Sequence, residues 1–227
     1  MNKIKLLPAI VLVLLNSCLT YYNPKTVDIP LIKGRGDMRM NTGLFISNDF
    51  HGSLLAGCNG TFSAGVTNVL AYQAHINLDM MSDLYLQNAL GLYKRFENNT
   101  VVEMYGGYGY GTNTGDYSER KNNYHLAFTR LNAGKCNLGT ANLDFGLGLQ
   151  GGYLNGFFIN NIPYADQNYQ RKQGWLIEPS AFIRLGKSRV KYNMIVNYSW
   201  TSMGATAYQL HLPLSVGIGV NISLGKK

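Results

Sequence analysis

The chain has 227 residues, a formal net charge of +8 and only 14% charged residues, with 26 glycines and 16 tyrosines. These values exclude an intrinsically disordered chain, which needs low hydrophobicity and high net charge. They do not indicate a nucleic-acid partner, because no run of Lys and Arg exceeds two residues. The mean hydropathy of −0.09 resembles that of a soluble protein, but strands with one apolar and one polar face average to the same value.

The N-terminus has the parts of a bacterial export signal. Lys3 and Lys5 are followed by an apolar run over residues 6–15, which is too short to cross a bilayer as a helix. The next residues, Leu15-Asn16-Ser17-Cys18, resemble the lipobox of bacterial lipoproteins. That resemblance implies cleavage before Cys18 and acylation of its thiol and new amine, with palmitate among the acyl chains. The alternative is an ordinary signal peptide with a cysteine here by chance.

The chain is therefore divided into three parts. Residues 1–17 are predicted to be a lipoprotein signal peptide, residues 18–36 a periplasmic linker, and residues 37–227 a β-domain. The linker prediction depends on two prolines, which disfavour a helix, and on two glycines just before the first strand.

From residue 37 onward, apolar residues alternate with small or polar ones. The pattern is clearest over residues 210–224, where Leu, Val and Ile occupy every even position. A period of two indicates a β-strand, and this one exceeds the roughly 9–11 residues that a transmembrane strand needs. The apolar face is expected to meet lipid, and the polar face a narrow interior. The predicted strands are 37–47, 53–63, 68–79, 83–95, 100–111, 122–133, 140–153, 173–186, 189–201 and 207–224.

The predicted connections alternate in length. Starting from a periplasmic N-terminus, the two longest, near residues 112–121 and 154–172, both fall on the outer side, as is typical of bacterial barrels. Aromatic residues are also expected at the outer strand ends, where amphipathic rings prefer the membrane interface. They are Tyr110, Tyr124, Tyr153, Trp175, Trp200 and Tyr208.

One predicted strand, 122–133, fits this scheme less well. Tyr124, Leu126 and Phe128 are assigned to its lipid face, but the next residue on that face is Arg130. Two explanations stay open at this point. Either the Arg130 side chain extends to the periplasmic interface, or a bulge near Thr129 reverses the pattern.

Together, these features resemble the family of small outer-membrane barrels that includes OmpA- and OmpX-like proteins, over residues 37–227. The resemblance implies an all-β fold, an antiparallel up-and-down transmembrane β-barrel of about ten strands, with eight to twelve possible. It implies a place in the bacterial outer membrane with both termini periplasmic. The implied partners are outer-membrane lipids and the barrel-assembly and lipoprotein-sorting machinery. A barrel fold of this kind indicates no particular activity.

Charged residues on the interior face of the predicted strands suggest a role for the lumen. If they pair, they form a salt-bridged plug that stabilises the barrel; the alternative is a narrow pore for small solutes. About ten strands leave little open bore, which favours the plug. The predicted luminal charges are Arg39, Glu103, Asp144, Glu178, Arg184 and Lys191.

No catalytic motif is recognisable, so we expect a structural or ligand- or partner-binding role. Ten-stranded outer-membrane hydrolases carry acidic and histidine residues at the rim, but the rim residues here match no such arrangement. No cofactor and no metal are expected, since no Cys and His spacing fits a zinc site. The aromatic residues of the longest outer connection could bind an unknown extracellular ligand. They are Phe157, Phe158, Tyr164 and Tyr169.

Overall fold

A computed structural model describes Tyr22 and residues 25–48, 54–80, 83–114, 121–159, 169–187, 189–202 and 214–225. These ranges contain strands and their connections, and within them no helix is long and apolar enough to cross a membrane. The strands are β1 (Met38–Asn48), β2 (Leu54–Gly65), β3 (Leu70–Asp79), β4 (Leu84–Arg95), β5 (Thr100–Thr114), β6 (Lys121–Leu138), β7 (Leu143–Ile159), β8 (Tyr169–Gly186), β9 (Val190–Tyr198, resumed at Trp200–Thr201) and β10 (Leu214–Ser223).

The ten strands form one closed up-and-down barrel. Each strand pairs antiparallel with the next in sequence, and β10 pairs with β1, so that Gly219 lies opposite Gly43. The piece Trp200–Thr201 pairs with β8 in the same register as β9. Closure gives every strand a partner on both sides. The prediction of an antiparallel barrel of about ten strands is confirmed. Every observed strand overlaps its predicted range, and β5, β6, β7 and β8 are each at least three residues longer than predicted.

The two ends of the barrel differ in their connections. The end at which β1 begins and β10 finishes carries the short connections and is called the turn end. The opposite end, reached by β1, β3, β5, β7 and β9, is called the loop end. Left-handed backbone at Asn99, Gly139 and Asn142 permits the tight reversals at the turn end. The turn-end connections are residues 66–69, 96–99, 139–142 and 187–189.

The barrel carries its apolar side chains outside and its polar ones inside. On β7, Leu147 is 66% exposed, whereas Asp144 and Gln150 are buried on the opposite face. A soluble barrel would show the reverse, because apolar groups are driven out of water. The exposed apolar residues form a belt over all ten strands, represented by Leu44, Phe62, Ile76, Leu90, Met104, Leu131, Leu147, Ile183, Met194 and Ile218.

The predicted facing of β6 is wrong. Tyr124, Leu126 and Phe128 point into the lumen together with Arg130, and all four are buried. Pairing with β5 runs without interruption past Thr129, so neither the bulge nor the extended Arg130 is present. Hydropathy failed as a guide here because this side of the lumen holds an aromatic and apolar cluster.

Glycines on neighbouring strands make room for that cluster. The rings of Tyr85 and Tyr124 lie where side chains of Gly109 and Gly111 would otherwise be. The ring of Phe182 covers Gly146 in the same way. Glycine thus lets large aromatic side chains lie flat against the wall of a narrow barrel.

Part of the predicted aromatic girdle faces outward. Trp175 is 63% exposed, and Tyr153 and Trp200 are also exposed, all towards the loop end. Tyr153 and Trp175 pack edge to face across β7 and β8, with ring centroids 5.3 Å apart. Tyr124 does not belong to this group because it points inward, and Tyr208 lies outside the described residues.

The outward facing of β10 predicts a depth-dependent response to charge. Ile218 lies near mid-height on the outer face, and Leu224 lies on the same face at the turn end. In a membrane, Ile218→Arg should cost about 2–4 kcal/mol of folding free energy, whereas Leu224→Arg should cost about 0–1 kcal/mol. Urea unfolding in lipid vesicles measures both. Equal effects of the two substitutions would contradict a membrane-embedded face.

Candidate functional site

The lumen is occupied by the protein's own N-terminal region. Tyr22 and residues 25–33, here called the luminal segment, lie inside the barrel, and Tyr22 and Ile29 are completely buried. The sequence analysis assigned residues 18–36 to a periplasmic linker, whereas residues 25–33 lie inside the barrel. The physical reason is composition: the segment is rich in β-branched and apolar residues around a single carboxylate, Asp28, and so suits a partly polar interior.

The luminal segment joins the barrel wall at the turn end. The Gly36 amide donates to the Gly65 carbonyl at 2.8 Å, and the Lys33 amide donates to Asp37 Oδ2 at 2.8 Å. Burial lowers the pKa of the Lys33 ammonium, and the nearby Arg39 guanidinium lowers it further. Read backwards from the start of β1, the chain therefore enters the lumen directly.

A buried ion pair fixes the middle of the luminal segment. Arg184 Nη2 lies 2.6 Å from Asp28 Oδ1, and both side chains are almost fully buried. Arg184 also donates to the Ile29 carbonyl, and its guanidinium carbon lies 4.2 Å from the ring centroid of Phe182. The Gln73 amide donates to the Asp28 carbonyl at 3.0 Å. A buried guanidinium is tolerable only when a carboxylate pairs with it, as Asp28 does here.

Glu103 binds the segment closer to the turn end. Its Oε1 accepts the Ile32 amide at 2.6 Å, and its Oε2 accepts Asn132 Nδ2 at 3.0 Å. The preceding residue, Leu31, has a φ of 52°, a left-handed conformation that costs a leucine on the order of 1–3 kcal/mol. The completely buried Leu31 side chain and the Glu103 contact hold this conformation in place.

Glu178 binds the other end of the segment. Its Oε2 accepts the Tyr22 hydroxyl at 3.4 Å and Gln150 Nε2 at 2.7 Å, and its Oε1 accepts the Ser199 hydroxyl. The ring of Tyr22 meets that of Tyr124 edge to face, with centroids 5.6 Å apart. Tyr22 is therefore held by both a carboxylate and an aromatic neighbour.

Backbone and side-chain bonds fix the stretch between these anchors. Asn197 Nδ2 donates to the Lys25 carbonyl, and Asn59 Nδ2 lies 2.5 Å from the Thr26 hydroxyl. Lys25 Nζ sits 5.9 Å from the Tyr85 ring centroid. Wall side chains thus replace water as partners for the polar groups of the segment.

Luminal glycines leave the space that the segment fills. A Cβ added to Gly148 would come within 2.8 Å of Ile29 Cδ1, and one added to Gly134 would come within 2.8 Å of Leu31 Cδ1. A Cβ on Gly217 would lie 3.2 Å from Thr26 Cγ2. In the sequence, these glycines do not indicate that another segment packs on them. In the structure, they form the surface against which the luminal segment packs.

The six predicted luminal charges all lie buried inside the barrel, but they do not form a single network. Lys191 Nζ pairs with Asp144 Oδ1 at 2.6 Å, and Arg39 pairs with Asp37 at 3.3 Å. Glu103, Glu178 and Arg184 instead bind the luminal segment, as described above. The six predicted charges are three cations and three anions, which could pair with one another. The sequence therefore provided no reason to expect a further carboxylate, Asp28, from the N-terminal region.

The candidate outer-loop residues and Cys18 lie away from the lumen or outside the described residues. Phe157 and Phe158 lie on β7, where Phe157 is exposed, and Tyr169 is the first residue of β8. These three residues therefore lie on strands and not in a loop. Tyr164 and Cys18, with the predicted signal peptide, lie outside the described residues. Over the described ranges, no group of three or more His, Cys, Asp or Glu side chains could hold a metal ion.

Comparison with known proteins adds no family to this geometry. No family model matches the chain, and no curated protein matches its sequence.

The buried ion pair predicts a large cost for removing one partner. Asp28→Ala should lower the free energy of unfolding by about 3–5 kcal/mol, because Arg184 stays buried without its carboxylate. Arg171→Ala is the control, since that exposed arginine bonds Asn155 on the barrel surface, and it should change stability by less than about 1 kcal/mol. Urea unfolding of the purified barrel measures both; similar costs would contradict the luminal pair.

The glycine surface predicts a coupled pair of substitutions. Gly148→Val should cost about 1–3 kcal/mol because the new side chain meets both Ser180 and Ile29. Gly151→Val, on the open outer face of the same strand, should be close to neutral. The double variant Gly148→Val with Ile29→Ala should cost less than the sum of the two single changes. Strict additivity in the same unfolding assay would mean that the two residues do not touch.

Proposed function

We propose that this protein is a lipidated bacterial outer-membrane barrel that its own luminal segment keeps closed, with a structural or partner-binding role. The single observation that carries the proposal is the combination of an apolar outer belt with an occupied lumen. The belt suits a lipid environment, and the occupied lumen disfavours transport. The same proposal includes membership of the OmpA- and OmpX-like barrel family, which the strand pattern suggests.

The outer face supports the membrane part of the proposal. Exposed apolar side chains on every strand form a contiguous patch far larger than soluble monomers leave uncovered. Strands of about ten residues, tilted by about 40°, cover the apolar band of roughly 25 Å that such barrels present. The exposed Trp175 and Trp200 towards the loop end suit one interface of that band. The loop end is then the extracellular side, and the turn end is periplasmic.

The lumen supports a closed barrel in preference to a pore. Around Asp28 and Ile29, the luminal segment bonds Gln73 of β3, Arg184 of β8 and Asn221 of β10 and packs over Gly148 of β7, so it occupies the middle of the lumen. Glu103 and Glu178 both accept bonds from the luminal segment and from neighbouring strands.

The lipid part of the proposal comes from the sequence around Cys18. An apolar run after two lysines, followed by Leu15-Asn16-Ser17-Cys18, is the pattern of a lipoprotein signal. Each buried acyl methylene adds about 0.8 kcal/mol of membrane affinity, so several chains anchor a protein firmly.

The test is a gel of the outer-membrane fraction, loaded with and without heating, for the natural chain and for Cys18→Ala. We expect the folded barrel to migrate differently before and after heating in both proteins. We also expect Cys18→Ala to shift in mass, because it cannot carry the acyl chains. A protein found in the soluble periplasm, with no effect of heating, would contradict the membrane proposal. A heat-modifiable band with no mass change would contradict only the lipid.

Planar-bilayer recordings separate a closed barrel from a pore. The natural chain should show no steady open state, and Asp28→Ala should show openings, because the luminal segment loses the ion pair that holds it. Arg171→Ala should record like the natural chain. A steady conductance of the natural chain, unchanged by Asp28→Ala, would favour the narrow pore.

A further inference from the structure

The turn end of the barrel concentrates basic side chains that the sequence keeps apart. In the sequence, no more than two of them are adjacent. The fold brings them together because β1 and β9 begin at this end, and β4, β6 and β8 finish there. Apart from Lys33 in the luminal segment, six basic residues with exposed or half-buried side chains lie here and are called the basic ring: Arg35, Lys94, Arg95, Lys135, Lys187 and Arg189.

Carboxylates are scarce at the same end. The exposed or half-buried carboxylates described there are those of Asp37 and Glu97, and Asp37 already pairs with the buried Arg39 at 3.3 Å. Within the described ranges, no ion pair joins a residue of the basic ring to a carboxylate. The turn end therefore carries a strong positive charge. Crowding of one charge sign is unfavourable, so this end suits a partner that supplies negative charge.

The basic ring lies at the edge of the apolar belt. Lys94 shares the outer face of β4 with Leu92, two residues away, and Leu92 is 48% exposed. Lys187 follows Leu185, an exposed residue of β8, by the same interval. Two strand residues correspond to about 5 Å along the barrel axis at a tilt of about 40°. The charged groups are thus at the depth at which an apolar band gives way to headgroups.

The distribution of the basic ring favours a lipid surface over a docked macromolecule. Its members lie before β1, at the end of β4, near the end of β6 and in the connection between β8 and β9, and so surround the barrel. A macromolecule docked against one side would contact only part of this ring, whereas a bilayer meets the whole perimeter at one depth. Lys94 Nζ also lies 5.3 Å from the ring centroid of the exposed Phe96, which places apolar surface beside the charge.

We propose that the basic ring binds the headgroups of anionic phospholipids in the leaflet around the turn end. The matching chemistry is phosphate, whose oxygens the guanidinium of arginine binds in pairs and the ammonium of lysine binds as a point charge. Each basic residue close to an anionic membrane surface strengthens attachment about fivefold. The inference needs the apolar belt to lie in lipid and so rests on the proposed function, but it needs neither an acylated Cys18 nor a particular side of the membrane.

The test is urea unfolding of the folded barrel in two kinds of vesicle, one of phosphatidylcholine alone and one of equal parts phosphatidylcholine and phosphatidylglycerol. We expect the natural chain to unfold at a higher urea concentration in the mixed vesicles. Lys94→Gln with Arg95→Gln should reduce this gain by about fivefold in the folding equilibrium constant for each cation removed. Lys94→Glu with Arg95→Glu should reduce it further. High salt should abolish the gain of the natural chain because it screens the headgroup charge.

Two cations at the loop end provide the matched control, Arg171→Gln with Lys172→Gln. Arg171 lies four residues beyond Trp175 on β8, which is about 10 Å further along the barrel axis. Since the Debye length is about 10 Å at 0.1 M salt, headgroups level with Trp175 act only weakly on this arginine. The control pair should therefore keep the full gain of the natural chain in the mixed vesicles.

The possible outcomes separate this inference from the proposed function. Equal unfolding of the natural chain in both kinds of vesicle, or an equal loss for the basic-ring pair and the control pair, would overturn the lipid site and leave the membrane barrel intact. Inorganic phosphate added to phosphatidylcholine vesicles at constant ionic strength should not reproduce the gain; if it does, the ligand is free phosphate and the lipid site is overturned. A chain that enters neither kind of vesicle and shows no heat modifiability would overturn both proposals.

Discussion

The neutralisation of one buried guanidinium is the interaction on which this structure depends. Arg184 is completely inaccessible, and the carboxylate beside it comes from Asp28 of the luminal segment and not from a strand. Since an unpaired charge in such surroundings is very unfavourable, barrel and segment stabilise each other. With Asp28 fixed, the carbonyl groups of Asp28 and Lys25 accept hydrogen bonds from Gln73 and Asn197, and the segment lies inside the lumen.

The outer and inner faces of the barrel differ in polarity. Outside, the strands present Leu, Ile, Met and Phe side chains, which only a lipid environment or another apolar surface would cover. Inside, they present charges, amides and glycines, and the luminal segment supplies both apolar packing and hydrogen-bond partners for them. Ile29 against Gly148 and Ile32 beside Glu103 illustrate the two kinds of contact. The luminal segment thus supplies part of the packing and part of the hydrogen bonding of the polar wall.

The sequence was sufficient for the ten strands because their outer face alternates with a strict period of two, as over residues 210–224. It failed on β6, where Tyr124, Leu126 and Phe128 are as apolar as any lipid-facing set but pack against Tyr22 and its neighbours. It also failed on the luminal segment. Apolar periodicity identifies surface that must be buried, but only the three-dimensional position of Arg184 reveals that Asp28 belongs inside the barrel.

The central claim, that the N-terminal region fills the lumen, is tested most directly by a cross-link. An ideal Cβ on Gly217 would lie 3.3 Å from Thr26 Cβ, close to the separation of about 3.5–4.5 Å found in disulfides. In a chain with Cys58→Ala and Cys136→Ala, Thr26→Cys with Gly217→Cys should form a disulfide in the folded barrel, whereas Thr26→Cys with the outward Gly151→Cys should not. Failure of the first pair to cross-link in a heat-modifiable barrel would contradict the occupied lumen.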